Sequence, residues 1–592
     1  MTTEIQLCGS PRVLRDGTAV AGPPGHKVWA LLTYLVLRET PPSRAHLGEL
    51  LFPEAVDPLG ALRWTLTMLR RLIGEAGEVC GDPLVCTWRE PPVIDVLALR
   101  SAAPEQLGAF GAAGRDLLEG MQFSGCASFE IWLGAQRRRV RGTLEALLHE
   151  GALAKLARGD AEGSAELAAE LVTLNPYDED FQSLLVRSLA VSGRGVEAAR
   201  QAAAGRELFR TELGIEPGPG LDVAAAATTA TPMARAVAGR LGVTALLEAG
   251  EVAIGAGALE AGLECLRRAV ADATTLADSR LTARAYTVLG TALVHAARGS
   301  DEEGATSLHR ALACDGAAPD TVAKALSELA YIEFLRGRYD RVEVWLERGN
   351  GLRDDPAALS VLGSTLSDRG RYPAALEVLG EALDLTRLAP DERRRCYVLS
   401  MIGRIHLLRR EFSSAIEALD ESIARATVDG WSAFLSWPEA LRAEVDLLSG
   451  GVESARTRFE HAFALGCRIG DPCWEGLSQR GLGLVQAAEG DPDGAFETLL
   501  SAGRRAGRLP DAYVWVQAYI LDALATLGVQ RHHPRTATWI ADLAAVAQRS
   551  GMVELAARAA LHRWQSGETA GLDAARALGA GVENPVLARL LA

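Results

Sequence analysis

Hydrophobic positions along this 592-residue chain fall into three regimes. Up to about residue 95, strand-like runs are mixed with helical ones. Ile5 and Leu7 alternate with polar neighbours, and Arg12–Arg15 leads through Asp16-Gly17 into Thr18–Val20. Asp-Gly between two β-prone runs predicts a tight hairpin, because the two central residues of such a turn need positive φ. Apolar spacing from Val28 to Leu37 predicts a first helix that stops before Pro41-Pro42. Ser43 is placed to cap a second helix, Arg44 to Leu51, which Pro53 ends. A third helix, about Leu59 to Ile73, precedes a second candidate hairpin: Val79-Cys80, the turn Gly81-Asp82-Pro83, then Leu84 to Trp88. Strands, three helices and a hairpin are, in that order, the elements of a winged helix with an N-terminal sheet.

The third helix separates cleanly into faces. Leu62, Leu66, Leu69 and Ile73 share one stripe, about 60° wide at 100° per residue, which must face a core. Arg63, Thr67, Arg70 and Arg71 lie on other faces, with Trp64 and Arg71 almost opposite the stripe. A helix fits the major groove of DNA, and guanidinium groups pair with guanine edges or phosphates. The candidate DNA-binding residues are therefore Arg63, Thr67, Arg70, Arg71 and Trp64, with Arg63 and Thr67 as base readers and the hairpin as the wing. An amphipathic helix whose arginines are simply solvated is the alternative. Residues 1–100 hold ten Lys/Arg and eleven Asp/Glu, so this region is close to neutral. Phosphate neutralisation supplies much of the affinity for DNA, so a single copy is expected to bind weakly, and a dimer or tandem arrangement to be needed.

From about 96 to 222 the pattern is helical. It contains Phe129–Leu133 and a basic run, Arg137-Arg138-Arg139-Val140-Arg141, read as a wet helix face rather than a phosphate contact. The Pro/Gly-rich stretch Leu213–Leu221 ends the region, and 223–232, rich in alanine and threonine, reads as a linker. From 233 to the end the chain repeats itself. A turn glycine followed five residues later by a small residue recurs at Gly257/Gly262, Gly299/Gly304, Gly370/Ala375, Gly450/Ala455 and Gly490/Ala495, with Gly337/Val342 and Arg410/Ala415 as looser copies. Gly159/Ser164 and Gly193/Ala198 repeat it in the second region. The glycine ends one helix; an aromatic such as Tyr339, Tyr372 or Phe412 starts the next by packing inward; the small residue lets the two helices approach. Such spacing predicts a solenoid of tetratricopeptide-like (TPR) helical hairpins. The fold expected is mainly α: an N-terminal winged helix (1–95), a helical domain (96–222), a linker (223–232) and a TPR-like α-solenoid (233–592).

Composition narrows the chemistry. Acids outnumber bases 76 to 61, and hydrophobic content of 48% with charged content of 23% is ordinary for a folded chain. Only three lysines occur, Lys27, Lys155 and Lys324, and none completes the Gly-x-x-x-x-Gly-Lys-Ser/Thr loop that cradles nucleotide phosphates. No nucleophile elbow, dinucleotide loop or His/Cys ligand box is present, and the adjacent His532-His533 point apart. An enzyme is not expected, nor a cofactor or a metal. Nine sparse cysteines without a Cys-x-x-Cys pair, no long apolar stretch and no secretion-type N-terminus predict a cytoplasmic chain without a membrane span; Cys80/Cys86 and Cys467/Cys473 read as buried free thiols.

Residues 1–222 resemble the bacterial antibiotic regulatory protein family (SARP), whose members join a winged helix to a bacterial transcriptional activator domain (BTAD). The resemblance is carried by Ala30–Leu35, Leu47–Pro53 (LGELLFP) and Leu62–Leu72 (LRWTLTMLRRL). In the second region it is carried by Phe129–Leu133 (FEIWL), Asn175–Arg194 (NPYDEDFQSLLVRSLAVSGR) and Leu213–Leu221 (LGIEPGPGL). It implies a transcriptional regulator, an activator of a biosynthetic gene cluster in secondary metabolism. Such a protein binds repeats in double-stranded promoter DNA and contacts RNA polymerase, with homodimerisation possible. Beyond residue 222 only general likeness to repeats remains, offering a concave face to an unknown protein or small ligand. The chain departs from the family pattern at Ala61 and Met68, where polar or basic residues are common, and at Trp64, where arginine is frequent. Those departures leave an alternative open: a TPR scaffold whose winged helix binds protein rather than DNA.

Overall fold

The computed structural model describes residues 2–592 except 39, 105, 107–115, 214–216, 218–219, 226–238, 256–257, 297–298, 350–354, 389–390, 510–511 and 570. The chain forms two compact units: residues 1–144 with 528–583 and 587–592, and residues 145–527 with 584–586.

The first unit opens with β1 (Thr3–Gln6), β2 (Arg12–Arg15) and β3 (Thr18–Ala19). Asp16 and Gly17 take φ of 46° and 77°, the left-handed pair that the hairpin required. Three helices follow: α1 (Lys27–Leu37), α2 (Arg44–Leu51) and α3 (Pro58–Ile73), within a residue of expectation. Ser43 caps α2 by accepting from the His46 N–H at 3.2 Å. The second hairpin is β4 (Gly77–Cys80) with β5 (Val85–Trp88). A two-residue strand absent from the expectation, β6 (Val93–Ile94), pairs parallel with β1, giving the sheet order β3-β2-β1-β6. Ile5 faces Val13 on one side and Ile94 on the other, and all three are buried. Asp95, at the start of α4 (Asp95–Ser101), clamps this sheet by accepting from the Leu7 and Cys8 N–H groups at 2.9 Å.

Residues up to Leu144 of α5 (Ala127–Ala157) belong to the same unit. Trp132 of α5 lies 4.6 Å, ring to ring, from Tyr34 of α1, and Phe129 is fully buried. The helices Thr536–Ser550, Val553–Gln565 and Gly571–Gly579 pack here as well. Ile131 sits against Ala560, Leu561, Ala574 and Ala575. Gly142 leaves room for Arg549, whose Cγ would stand 3.0 Å from an added Cβ. The basic run is only partly a wet face, with Arg138 and Arg141 exposed but Arg137 and Arg139 half-buried. Arg137 donates to the Leu117 and Leu118 carbonyls, Arg138 to Gln548 and Arg141 to Asp116, because the fork of a guanidinium ties irregular backbone and remote helices to α5.

The second unit carries α6 (Ala161–Leu174), α7 (Glu179–Val191), α8 (Gly195–Leu208) and then antiparallel helical pairs from Arg240 onward. Gly159, Gly193, Gly299, Gly337, Gly370, Gly450 and Gly490 all take φ between 68° and 91°, and Arg410, in the glycine's place, takes 62°. The partners five residues on (Ser164, Ala198, Val342, Ala375, Ala415, Ala455, Ala495) are fully buried. Tyr339 and Tyr372 pack inward, whereas Phe412 is only half-buried. Gly257 lies outside the described residues; Gly220–Ala225 is helical, and the rest of the expected linker, 226–232, is likewise outside. The four singled-out cysteines are free, but only Cys473 is buried; Cys80 and Cys467 are exposed, since each falls on the outward register of its element.

Candidate nucleic-acid interface

Asp57 begins α3: its Oδ1 accepts from the Gly60 N–H at 2.8 Å, and Pro58 takes the first helical position, where a missing N–H is harmless. From there the predicted stripe is met. Leu62, Leu66, Leu69 and Ile73 are buried, joined by Thr65 and Leu72. The five candidate residues, Arg63, Trp64, Thr67, Arg70 and Arg71, are all solvent-exposed. Trp64 is 56% exposed, unusually open for a large apolar side chain in mid-helix. Met68 and Ala61 are half-buried.

The five do not share one environment. Arg63 donates through Nη2 to Asp57 Oδ2 at 3.2 Å, an ion pair with both side chains about two-thirds exposed (66% and 65%). Thr67 turns its hydroxyl back onto the Arg63 carbonyl at 2.9 Å. Among the described residues, Arg71 meets no partner but the Met68 sulfur, a loose contact at 3.9 Å. Arg70 differs from the rest: Nε and Nη2 both donate to the Val79 carbonyl on β4, at 2.9 and 2.8 Å. It ties α3 to β4. Arg15 makes a second tie, Nη2 to the Leu72 carbonyl at 2.7 Å, and Arg44 a third, its Nε to the Gly81 carbonyl and its N–H to Asp82 in the wing turn.

Reasoning from the sequence found the exposed arc but missed these three fasteners and the Asp57 pairing. Asp followed by Pro and then Gly three positions on was the available signal for Asp57, being a capping pattern. For Arg70 no local signal exists, since its partner lies on a strand nine residues away. The wing itself is acidic: Glu75, Glu78, Asp82 and Glu90 against Arg89 alone in residues 74–90.

Residues 97–227 match the family model of the bacterial transcriptional activator domain. That segment directly follows a region whose strands, three helices and hairpin run in the order of a winged helix. Among solved structures it is similar to Mycobacterium tuberculosis EmbR in complex with a low-affinity phosphopeptide, at 22% identity over 38% of this chain, with a TM-score of 0.31. The chain spans 64% of the length of that protein. It is also similar to a Rap protein complexed with competence and sporulation factor (12% identity, 59% of this chain and 99% of that one, TM-score 0.42). A third likeness is to a human IFIT1 dimer with m7Gppp-AAAA (14% identity, 70% and 91%, TM-score 0.33). No curated protein matches. Among the described residues, no helix is long and apolar enough to cross a membrane.

Proposed function

We propose that this protein is a DNA-binding transcriptional activator of a biosynthetic gene cluster, acting in the cytoplasm on repeated promoter elements and contacting RNA polymerase. One observation carries the reading: an activator domain follows directly on a winged helix whose α3 holds Arg63, Thr67 and Arg71 open to solvent. In this reading the chain divides as 1–95 for DNA, 96–222 for activation, 223–232 as linker and 233–592 as repeats that receive a protein or small-ligand signal. Arg63 and Thr67 face base edges, Arg71 meets phosphate, Trp64 packs on the sugar-phosphate edge, and Arg70 supports the wing. The near-neutral charge of the domain makes two copies on two half-sites the working arrangement.

The test is a gel-shift titration of the full chain against its promoter across salt concentrations. Arg63→Ala with Arg71→Ala should weaken binding and flatten its salt dependence, the slope falling by about one for each phosphate contact removed. Equal affinity in wild type and double mutant would remove α3 from the interface. Exposure of Trp64 supports the second reading, a scaffold whose winged helix docks on protein; that version shows no salt-sensitive binding to duplex DNA.

A further inference from the structure

We propose that Arg63 reads a guanine in the major groove and that Asp57 is the residue that positions it; this rests on the DNA-binding reading above. The two oxygens of the Asp57 carboxylate do separate jobs. Oδ1 caps α3 through the Gly60 N–H, and Oδ2 holds the Arg63 guanidinium. Gly60 makes this possible, because a Cβ there would stand 2.2 Å from Oδ2 and push the carboxylate off the first turn. The same Asp-x-x-Gly cap occurs at Asp160/Gly163 and Asp491/Gly494, and at Asp160 the second oxygen takes Lys155, so capping alone does not call for an arginine six residues on.

The pairing draws the guanidinium back toward the N-terminal end of α3, the part of a recognition helix that meets base edges. Among the described residues, the other N–H groups of that guanidinium meet no acceptor. A planar fork anchored at one corner and open along another edge is preorganised for two acceptors side by side, which is what guanine O6 and N7 present. Anchoring also removes rotamer freedom that binding would otherwise have to freeze. A lone phosphate, by contrast, must approach a guanidinium already facing a carboxylate, so Asp57 lowers sequence-independent affinity while raising selectivity.

The experiment selects bound sequences from random-centre duplexes with the full chain at physiological salt, comparing wild type, Asp57→Asn, Asp57→Ser and Arg63→Ala. Asn and Ser both cap helices as Asp does, and circular dichroism checks that each variant keeps its helicity. Wild type should enrich guanine at one position of each half-site, discriminating by roughly 5- to 150-fold against other bases. Both Asp57 variants should still bind, lose up to about fivefold of that preference, and hold an unselected duplex up to about fivefold more tightly. Arg63→Ala should lose the preference and bind more weakly. The proposal fails if no guanine position responds to Arg63→Ala, or if Asp57→Asn and Asp57→Ser discriminate like wild type. Absence of wild-type binding to any duplex would overturn the DNA-binding reading itself, and this proposal with it.

Discussion

Glu150 and Arg341, 191 positions apart, form a two-pronged ion pair at 2.9 and 2.6 Å, with side chains 3% and 1% exposed. Glu150 sits on α5 in the activator segment and Arg341 on the repeat helix Tyr339–Glu347, so a buried charge pair fastens the two. Removing one partner strands the other in the interior. Arg341→Ala should therefore destabilise by about 3–5 kcal/mol, while Glu150→Gln with Arg341→Met should recover much of the loss. Urea midpoints of the second unit's unfolding transition check this; equal midpoints for the single and double variants would refute it.

Beside that pair, Arg336 and Arg338 donate to His149 Nδ1, at 3.4 and 3.1 Å, and His149 Nε2 lies 3.1 Å from Glu302. A ring nitrogen that accepts from arginine carries no proton, so the imidazole is neutral and donates through Nε2. Burial pushes its pKa below 6.5, and Arg336 and Arg338 push it further, against the hydrogen bond to Glu302. Burial alone would raise the Glu302 carboxyl, but His149 and Arg187 outweigh it and hold it at about 2. For the histidine the unfolded chain binds the proton more readily, so its contribution is complete above about pH 6.5 and declines as pH falls below that value. The difference in stability between wild type and His149→Gln should shrink steadily from pH 7 to 5.5, with the surrounding carboxylates common to both. A constant difference would show that folding leaves the histidine's pKa unshifted, and one that grows toward pH 5.5 would show the buried ring to be charged.

Two helix glycines should answer alanine with opposite signs. At Gly481 a Cβ would lie 2.0 Å from the Phe459 ring, so Gly481→Ala should destabilise by about 1–3 kcal/mol. At Gly380, within the helix Tyr372–Leu388, nothing stands within 4 Å, and Gly380→Ala should stabilise by about 0.5–1 kcal/mol. Thermal melts of the two variants side by side decide it.

Arg70→Ala should loosen the wing without removing a DNA contact. Amide exchange at Val79 and Cys80 should quicken, by about tenfold if the paired bonds contribute 1–2 kcal/mol, while the salt slope of DNA binding stays as in wild type. A slope reduced as much as by Arg71→Ala would return Arg70 to the phosphate-contacting set.

Much of the fold was legible because its signals are local. The Asp16-Gly17 turn, the Ser43 cap, the α3 stripe and the glycine punctuation of the repeats each involve residues a few positions apart, where backbone sterics and helical period act directly. Even Arg410 obeys the repeat's backbone demand without the side chain that would make it easy. The candidate interface was legible only as an arc: the stripe dictates which residues face out, and says nothing of what an exposed guanidinium holds.

By itself, then, the sequence determined the element types, the register of the hairpin, the buried face of α3 and the repeated helical pairing. Tertiary structure alone decided which arginines fasten distant segments and which stay on the exposed face of α3. Arg70 on Val79, Arg138 on Gln548 and Arg341 on Glu150 carry no sequence signature, and Arg63 and Arg71 look the same as they do in a linear reading. The physical reason is that a guanidinium on a long flexible stem takes whichever acceptor the fold brings within reach. Which acceptor that is depends on chain closure over tens to hundreds of residues, not on neighbours in the chain.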